Sequence, residues 1–237
     1  MPKRAAVSPT SSKKEKNARQ GQREPQQQRS RVTRDKILSA AERLFAHKGY
    51  EEVTSHEIAA TAGVAIGSFY AYFADKEQLL LHLLEERLDE EYQDIFADLQ
   101  PQDLFEPDPR PALRRAIENH FASKARHRWI TRVLQSMAHK NARIAAIDQR
   151  LFERSQAQLR TLLTLANKAG LTYHFDIPVV SMLVVLMVDH IGIDCAESPL
   201  RKQRSAVIDA LVDMIYRSLF QQSSLAIQQS RPGLTHR

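Results

Sequence analysis

Cysteine is nearly absent from this chain. Cys195 is the single example in 237 residues, so no internal disulfide can form, and no apolar stretch follows the basic start. Both features lead to the expectation of a soluble protein of a reducing cytoplasm. Long apolar runs are missing too: the longest block, Val179 to Val188, is broken by Ser181. It is shorter than the roughly 20 residues that a bilayer span needs, so no membrane partner is expected. Glycine is scarce at 7 residues, and there is no nucleophile elbow, phosphate loop or metal-ligand spacing. His120 and His127 are seven apart, Cys195 is isolated, and Glu85-Glu86 and Glu90-Glu91 read as a solvated helix face. No catalytic residue, metal or cofactor is expected.

What the chain does have is helical periodicity. Runs of Leu, Ala, Glu, Arg and Gln recur at helical rather than alternating spacing, which predicts an all-α fold. Thr33 is placed to cap a first helix running to about Lys48, with Ile37, Ala41, Leu44 and Phe45 on one face and Gly49 just past its end. Thr54 and Glu57 have capping-box spacing, with Val53 and Ile58 as a staple, and Ala62-Gly63 closes the short helix that follows. Val64 then leads into a second short helix carrying Ser68, Tyr70 and Tyr72. Two short helices joined by a glycine-bearing turn over residues 54–73 form a helix-turn-helix pattern. Asp75 and Gln78 repeat the capping logic for a long helix with Leu79, Leu80, Leu83, Leu84 and Leu88.

Pro101, Pro107, Pro109 and Pro111 mark a break. Leu113, Ile117, His120 and Phe121 then open a larger helical region, followed by amphipathic stretches over 128–139, 142–169 and 201–220. Residues 177–193 are apolar on nearly every face, which requires cover on all sides and suggests a second subunit. Charge is uneven. Residues 1–31 carry nine Lys or Arg against Glu15 and Glu24, a net +7, so the overall +6 leaves −1 for the remainder. Such a tail reads either as a solubilising disordered extension or as an arm that neutralises phosphates or enters a minor groove.

Residues 34–50 (RDKILSAAERLFAHKGY), with Val53-Thr54, Ile58-Ala59, Ala62-Gly63-Val64, Gly67-Ser68-Phe69-Tyr70, Tyr72-Phe73 and Asp75-Lys76-Glu77, closely resemble the TetR family of bacterial transcriptional regulators. The resemblance covers residues 31 to about 90. It implies a three-helix DNA-binding domain followed by a larger helical domain for ligand binding and dimerisation, about nine helices in all. The division expected is a disordered basic tail over 1–30, a DNA-binding head over 31–91, an effector and dimerisation body over 92–222, and a flexible tail over 223–237.

By the same resemblance Thr54 and His56 fall where the DNA backbone is contacted, Ala65, Ile66, Ser68, Tyr70 and Tyr72 on the reading helix, and Lys76 at a phosphate-contacting helix start. Tyr70 has an alternative reading as a buried ring packed on Phe45. Ala65, Ile66 and Ala71 depart from the family pattern. Ala65 replaces a capping residue, a loss of about 0.5–2 kcal/mol, and with Ile66 it is assigned to thymine methyl groups. The implied partners are a near-palindromic double-stranded operator, a second copy joined through residues 177–195 and 201–220, and an unknown small-molecule effector. His120, Trp129, Met137, Asp189 and His190 are the effector-pocket candidates, and the Met-rich aliphatic character suits a hydrophobic molecule. Two other classes remain open at this point: an effector-independent architectural DNA-binding protein, and an enzyme on a helical scaffold.

Overall fold

The computed structural model describes residues 12–97 and 99–221, with side chains from residue 28 onward. Among the described residues there are nine α-helices and no strand. They are α1 (Ser12–Lys48), α2 (Ser55–Ala62), α3 (Ile66–Tyr72), α4 (Lys76–Ala97), α5 (Arg110–Arg126), α6 (Arg128–Met137), α7 (Ala142–Lys168), α8 (Ile177–Glu197) and α9 (Arg204–Leu219). Short 3-10 turns precede α5 and α9. The chain divides into two compact units, Met1–Leu80 and Leu81–Arg237, termed the head and the body. The division falls inside α4, as does the 91/92 boundary expected from sequence.

In the head, Ile37, Ala41 and Phe45 of α1, Ile58 and Ala59 of α2, and Phe69 of α3 are buried together with Phe73, Leu79 and Leu80. Gly49 ends α1 in the left-handed region at φ 84°, and its N–H donates to the Phe45 carbonyl. Asp75 accepts the Gln78 N–H at 2.7 Å and the Gln78 side chain accepts the Ala74 N–H, so both polar groups are used at the start of α4. The start of α1 differs from expectation. Thr33 is interior to the helix, its hydroxyl donating to the Arg29 carbonyl at 3.0 Å rather than capping. The helix extends back to Ser12, where a disordered tail was expected. Lys, Arg, Glu and Gln are strong helix formers even where no apolar face exists to bury. Residues 1–11 and 223–237, the rest of the two expected tails, lie outside the described residues.

The body buries Leu113, Ile117 and Phe121 of α5, Leu162 and Leu163 of α7, and Leu211 and Ile215 of α9 in one core. Asn141 caps α7 through two backbone N–H groups and Asp176 caps α8 through Val179. α8 packs on α5 and α7. It runs through Asp189 to Glu197, so among the described residues it is the one helix long and apolar enough to cross a membrane by length and composition. Counting only the block Val179 to Val188 makes it too short. A charged residue does not end a helix if its charge is matched, and Asp189 is matched by Lys124 of α5 at 2.9 Å.

Candidate functional site

The helix-turn-helix is set by backbone chemistry. Thr54 Oγ1 accepts the Glu57 N–H at 3.2 Å, the forward half of a capping box. Glu57 does not return the bond; its carboxylate receives the Lys48 ammonium, and that hydrogen bond holds the carboxyl below its usual range. Gly63 closes α2 at φ 68°, where a side chain is strained, and its neighbour Val64 donates to the Ala59 carbonyl. The turn then delivers α3, whose Phe69 is fully buried while Ala65, Gly67, Tyr70 and Ala71 are exposed. The exposed face is therefore small-residued with one aromatic edge.

Each expected DNA contact can be placed. Thr54 and His56 are exposed, and Ile66 and Ser68 are half-buried. Tyr70 is 51% exposed, its ring edge-on to Phe69, whereas the aromatic partner of Phe45 is Tyr50; the buried alternative for Tyr70 does not hold. The Tyr72 hydroxyl donates to Ser30 Oγ of α1 at 3.1 Å. Lys76 is turned inward: its ammonium donates to the Tyr50 carbonyl at 2.8 Å and lies 4.1 Å from that ring's centre. Burial pulls the Lys76 ammonium below its usual pKa. The same enclosure, with Glu77, Glu51 and Asp75 nearby, pushes the Tyr50 phenol up to about 12. Lys76 thus staples the loop between α1 and α2, a role its position at a helix start did not reveal.

Ala65 has cap geometry, φ −67° and ψ 148°, but no side chain to accept the free N–H groups of α3. Ala65→Ser is expected to stabilise this helix by about 1 kcal/mol. Slower hydrogen exchange of the α3 amides checks this, and unchanged exchange would contradict it.

The body contains a cavity of about 410 Å³. Its walls are largely aliphatic and aromatic, from Ile95, Phe152, Leu159, Leu163 and Val184 among others, and one end is polar, with Glu91, His120, Lys124, Asp148 and Asp189. Lys124 Nζ lies 3.1 Å from Glu91 and 2.9 Å from Asp189. His120 sits between the same carboxylates, Nδ1 3.4 Å from Glu91 and Nε2 3.5 Å from Asp189. Gly192 permits this arrangement, because a Cβ there would come within 3.1 Å of the His120 ring.

Burial opposes the charges of Lys124, Asp189 and Asp148, and for the first two the ionic partners outweigh it. Lys124 is held above its usual pKa by Glu91 and Asp189 despite burial. Asp189 is held well below its usual range, burial being outweighed by His120 and Lys124. Asp148 is raised by burial and then by the charge of Asp189. Glu91, His120 and Asp189 also present ligand atoms within 4.8 Å of one another, as a metal site would. The Lys124 ammonium already stands between the two carboxylates, so the cluster reads as an ion-pair network.

Residues 37–83 match the model of the bacterial regulatory proteins of the tetR family. This chain carries a tetR-family head. It is 33% identical over 94 residues to the transcriptional regulator EthR of Mycolicibacterium smegmatis, a match covering 38% of this chain and 41% of that one. It is 33% identical over 105 residues to the transcriptional regulator TtgR of Pseudomonas putida, covering 43% and 49%. The chain thus spans less than half the length of the curated relatives it matches. A tetR-family regulator from Mesorhizobium loti has the same fold over 81% of this chain and 99% of its own, with a TM-score of 0.68 at 20% identity. All three are regulators rather than enzymes.

Beyond the tetR-family head, two of the five expected pocket residues, His120 and Asp189, line the cavity. Trp129 is buried on α6, Met137 is half-buried at its end and His190 is exposed on α8; none of these lines it. Glu91, Lys124 and Asp148 were missed. The signal for Lys124 was present, since Leu113, Ile117, His120 and Lys124 share one face of α5. Glu91 likewise continues the Leu84, Leu88, Ile95 stripe of α4, and at 4% exposure it is no part of a solvated face. Glu85 and Glu90 are the outward pair-makers, with Arg150 and Arg87.

Proposed function

We propose that the protein is a dimeric, sequence-specific transcriptional regulator, by default a repressor, whose hold on a near-palindromic operator is controlled by a small hydrophobic effector in the body cavity. The observation that carries the reading is the exposed, small-residued face of α3 delivered by the Gly63 turn. A face without bulky side chains can lie close to base edges in a major groove. Ala65 and Ile66 meet thymine methyl groups, Ser68 and the exposed Tyr70 supply polar contacts, and Thr54 and His56 meet phosphates. Tyr72 and Lys76, engaged inside the head, act by fixing its shape. Arg29 and Arg31 of α1 are exposed and add charge for the backbone.

Dimerisation through α8 and α9 is supported by the exposed stripe Val179, Leu183 and Leu186 on α8 and by Met214 on α9. The two reading helices of such a dimer meet major-groove faces roughly 34–36 Å apart. An effector that favours a different spacing of the heads weakens operator binding by its differential affinity, typically about 1–3 kcal/mol. The body cavity, with its mixed lining, favours this over an effector-independent architectural protein, which has no need of one.

Replacing the central thymines of a mapped operator by uracil removes only the methyl groups. Binding should weaken measurably in a fluorescence anisotropy titration, and unchanged affinity would contradict the assignment of Ala65 and Ile66.

A further inference from the structure

We propose that the ligand of the body cavity is a hydrophobic amine bound as its ammonium, with the N–H groups at the Glu91, His120, Asp148, Asp189 end and the hydrocarbon along the aliphatic walls. The inference rests on the effector reading above and specifies the chemistry of its site.

The first argument is charge. The polar end holds three carboxylates, Glu91, Asp148 and Asp189, and one ammonium, Lys124. Lys124 is already matched on two sides, at 3.1 Å and 2.9 Å. A ligand carboxylate or phosphate would find no unmatched ammonium there and would meet Asp148 and Asp189 at close range. An arriving ammonium lowers the excess of negative charge. The raised Asp148 carboxyl, pushed up by burial and by Asp189, registers the same excess.

The second argument is an orphaned group. His120 lines the cavity with its side chain 8% exposed, and its Nε2, enclosed and 3.5 Å from Asp189, makes no hydrogen bond. Its Nδ1 faces Glu91 at 3.4 Å, so the ring is held only by long contacts to the two carboxylates. Buried polar groups are rarely left so loosely paired. A primary or secondary ammonium has at least two N–H donors, enough for the Asp189 and Asp148 carboxylates together. A quaternary ammonium carries the charge but no donor. The cavity of about 410 Å³, walled by Ile95, Phe152, Leu159 and Val184, takes the hydrocarbon.

Calorimetric titration of the full-length protein with octylamine, 1-octanol, octanoate and octyltrimethylammonium at neutral pH separates the possibilities. Octylammonium should bind about tenfold or more tighter than octanol, octanoate weakest, and the trimethylated cation between the two extremes. Asp148→Asn keeps the shape and the Lys124 pairs; it should lower octylammonium affinity about tenfold, leave octanol unchanged, and leave thermal unfolding close to that of the parent. Octanoate binding as tightly as octylammonium, or an Asp148→Asn protein with the parent's octylammonium affinity, overturns the inference while leaving a hydrophobic effector pocket intact. Absence of binding by all four overturns both readings. The predicted order of affinities without any effect on DNA binding upholds the site and overturns its regulatory role.

Discussion

Lys124→Ala is expected to destabilise the body by about 3–5 kcal/mol. The ammonium stands within 3.1 Å of two carboxylates, and one of them, Glu91, is 4% exposed. Removing it leaves only His120 between Glu91 and Asp189, with Asp148 close by, and like charges at such range cannot all stay ionised cheaply. Trp129, the protein's single tryptophan, is buried in the body, so its fluorescence in a urea titration follows that unit alone. A loss below about 1 kcal/mol would show that the cluster is solvated and unimportant to the fold.

The pH dependence has a definite sign. Asp189 is depressed below its ordinary 3.8, so its contribution is present above that pH and is lost as pH falls beneath it. Lys124 is raised above its ordinary 10.5, so its contribution is complete below that pH and is lost as pH rises through the higher native value. Asp148 runs opposite to Asp189: its raised value favours the native state on the acid side, and that share fades as pH climbs through it. In the Lys124→Ala protein protonation relieves the repulsion between the remaining acids. The deficit of the variant should therefore shrink as pH is lowered toward 4.

Ala71→Glu is expected to lower operator affinity about a hundredfold or more while leaving the head folded. Ala71 is exposed on α3, so glutamate there displaces no core contact, and surface changes of this kind alter stability by about 0.5 kcal/mol or less. Against DNA the same carboxylate faces phosphates and base acceptors, a like-charge juxtaposition worth several kcal/mol. It occurs at both heads of a dimer. Anisotropy titration of parent and variant, with circular dichroism as the control for folding, measures it. A variant that keeps full affinity would remove α3 from the interface. This substitution discriminates better than changing Lys76, whose side chain holds the Tyr50 and Glu51 carbonyls and would disturb the head's fold as well.

Much of the head was legible because local chemistry fixes it. Thr54, Gly63 and the Asp75/Gln78 pair are short-range devices whose partners lie within four residues, and each forms as its spacing indicates. Glu57 shows the limit: its spacing fits a capping box, but a lysine nine residues earlier competes for the carboxylate. The start of α1 escaped for a related reason. A polar stretch can be helical on propensity alone, and amphipathic pattern, the usual signal, is then silent. In the body, the apolar face shared with Leu113 and Ile117 on α5 pointed to His120, and the break in the apolar run of α8 pointed to Asp189. Periodicity could not tell a face that meets a cavity from one that meets packed side chains, and Trp129 and Met137 lie on the latter kind. Glu91 and Asp148 depend on four helices coming together, which no single-helix pattern contains.

The most direct measurement of the central claim is selection of binding sites from random duplex DNA by the purified full-length protein. The account predicts enrichment of one two-fold symmetric motif with thymines in each half-site and half-site centres a whole number of helical turns apart, together with loss of that enrichment in Ala71→Glu. Recovery of unrelated sequences by the parent protein, or of the same motif by both proteins, would contradict it.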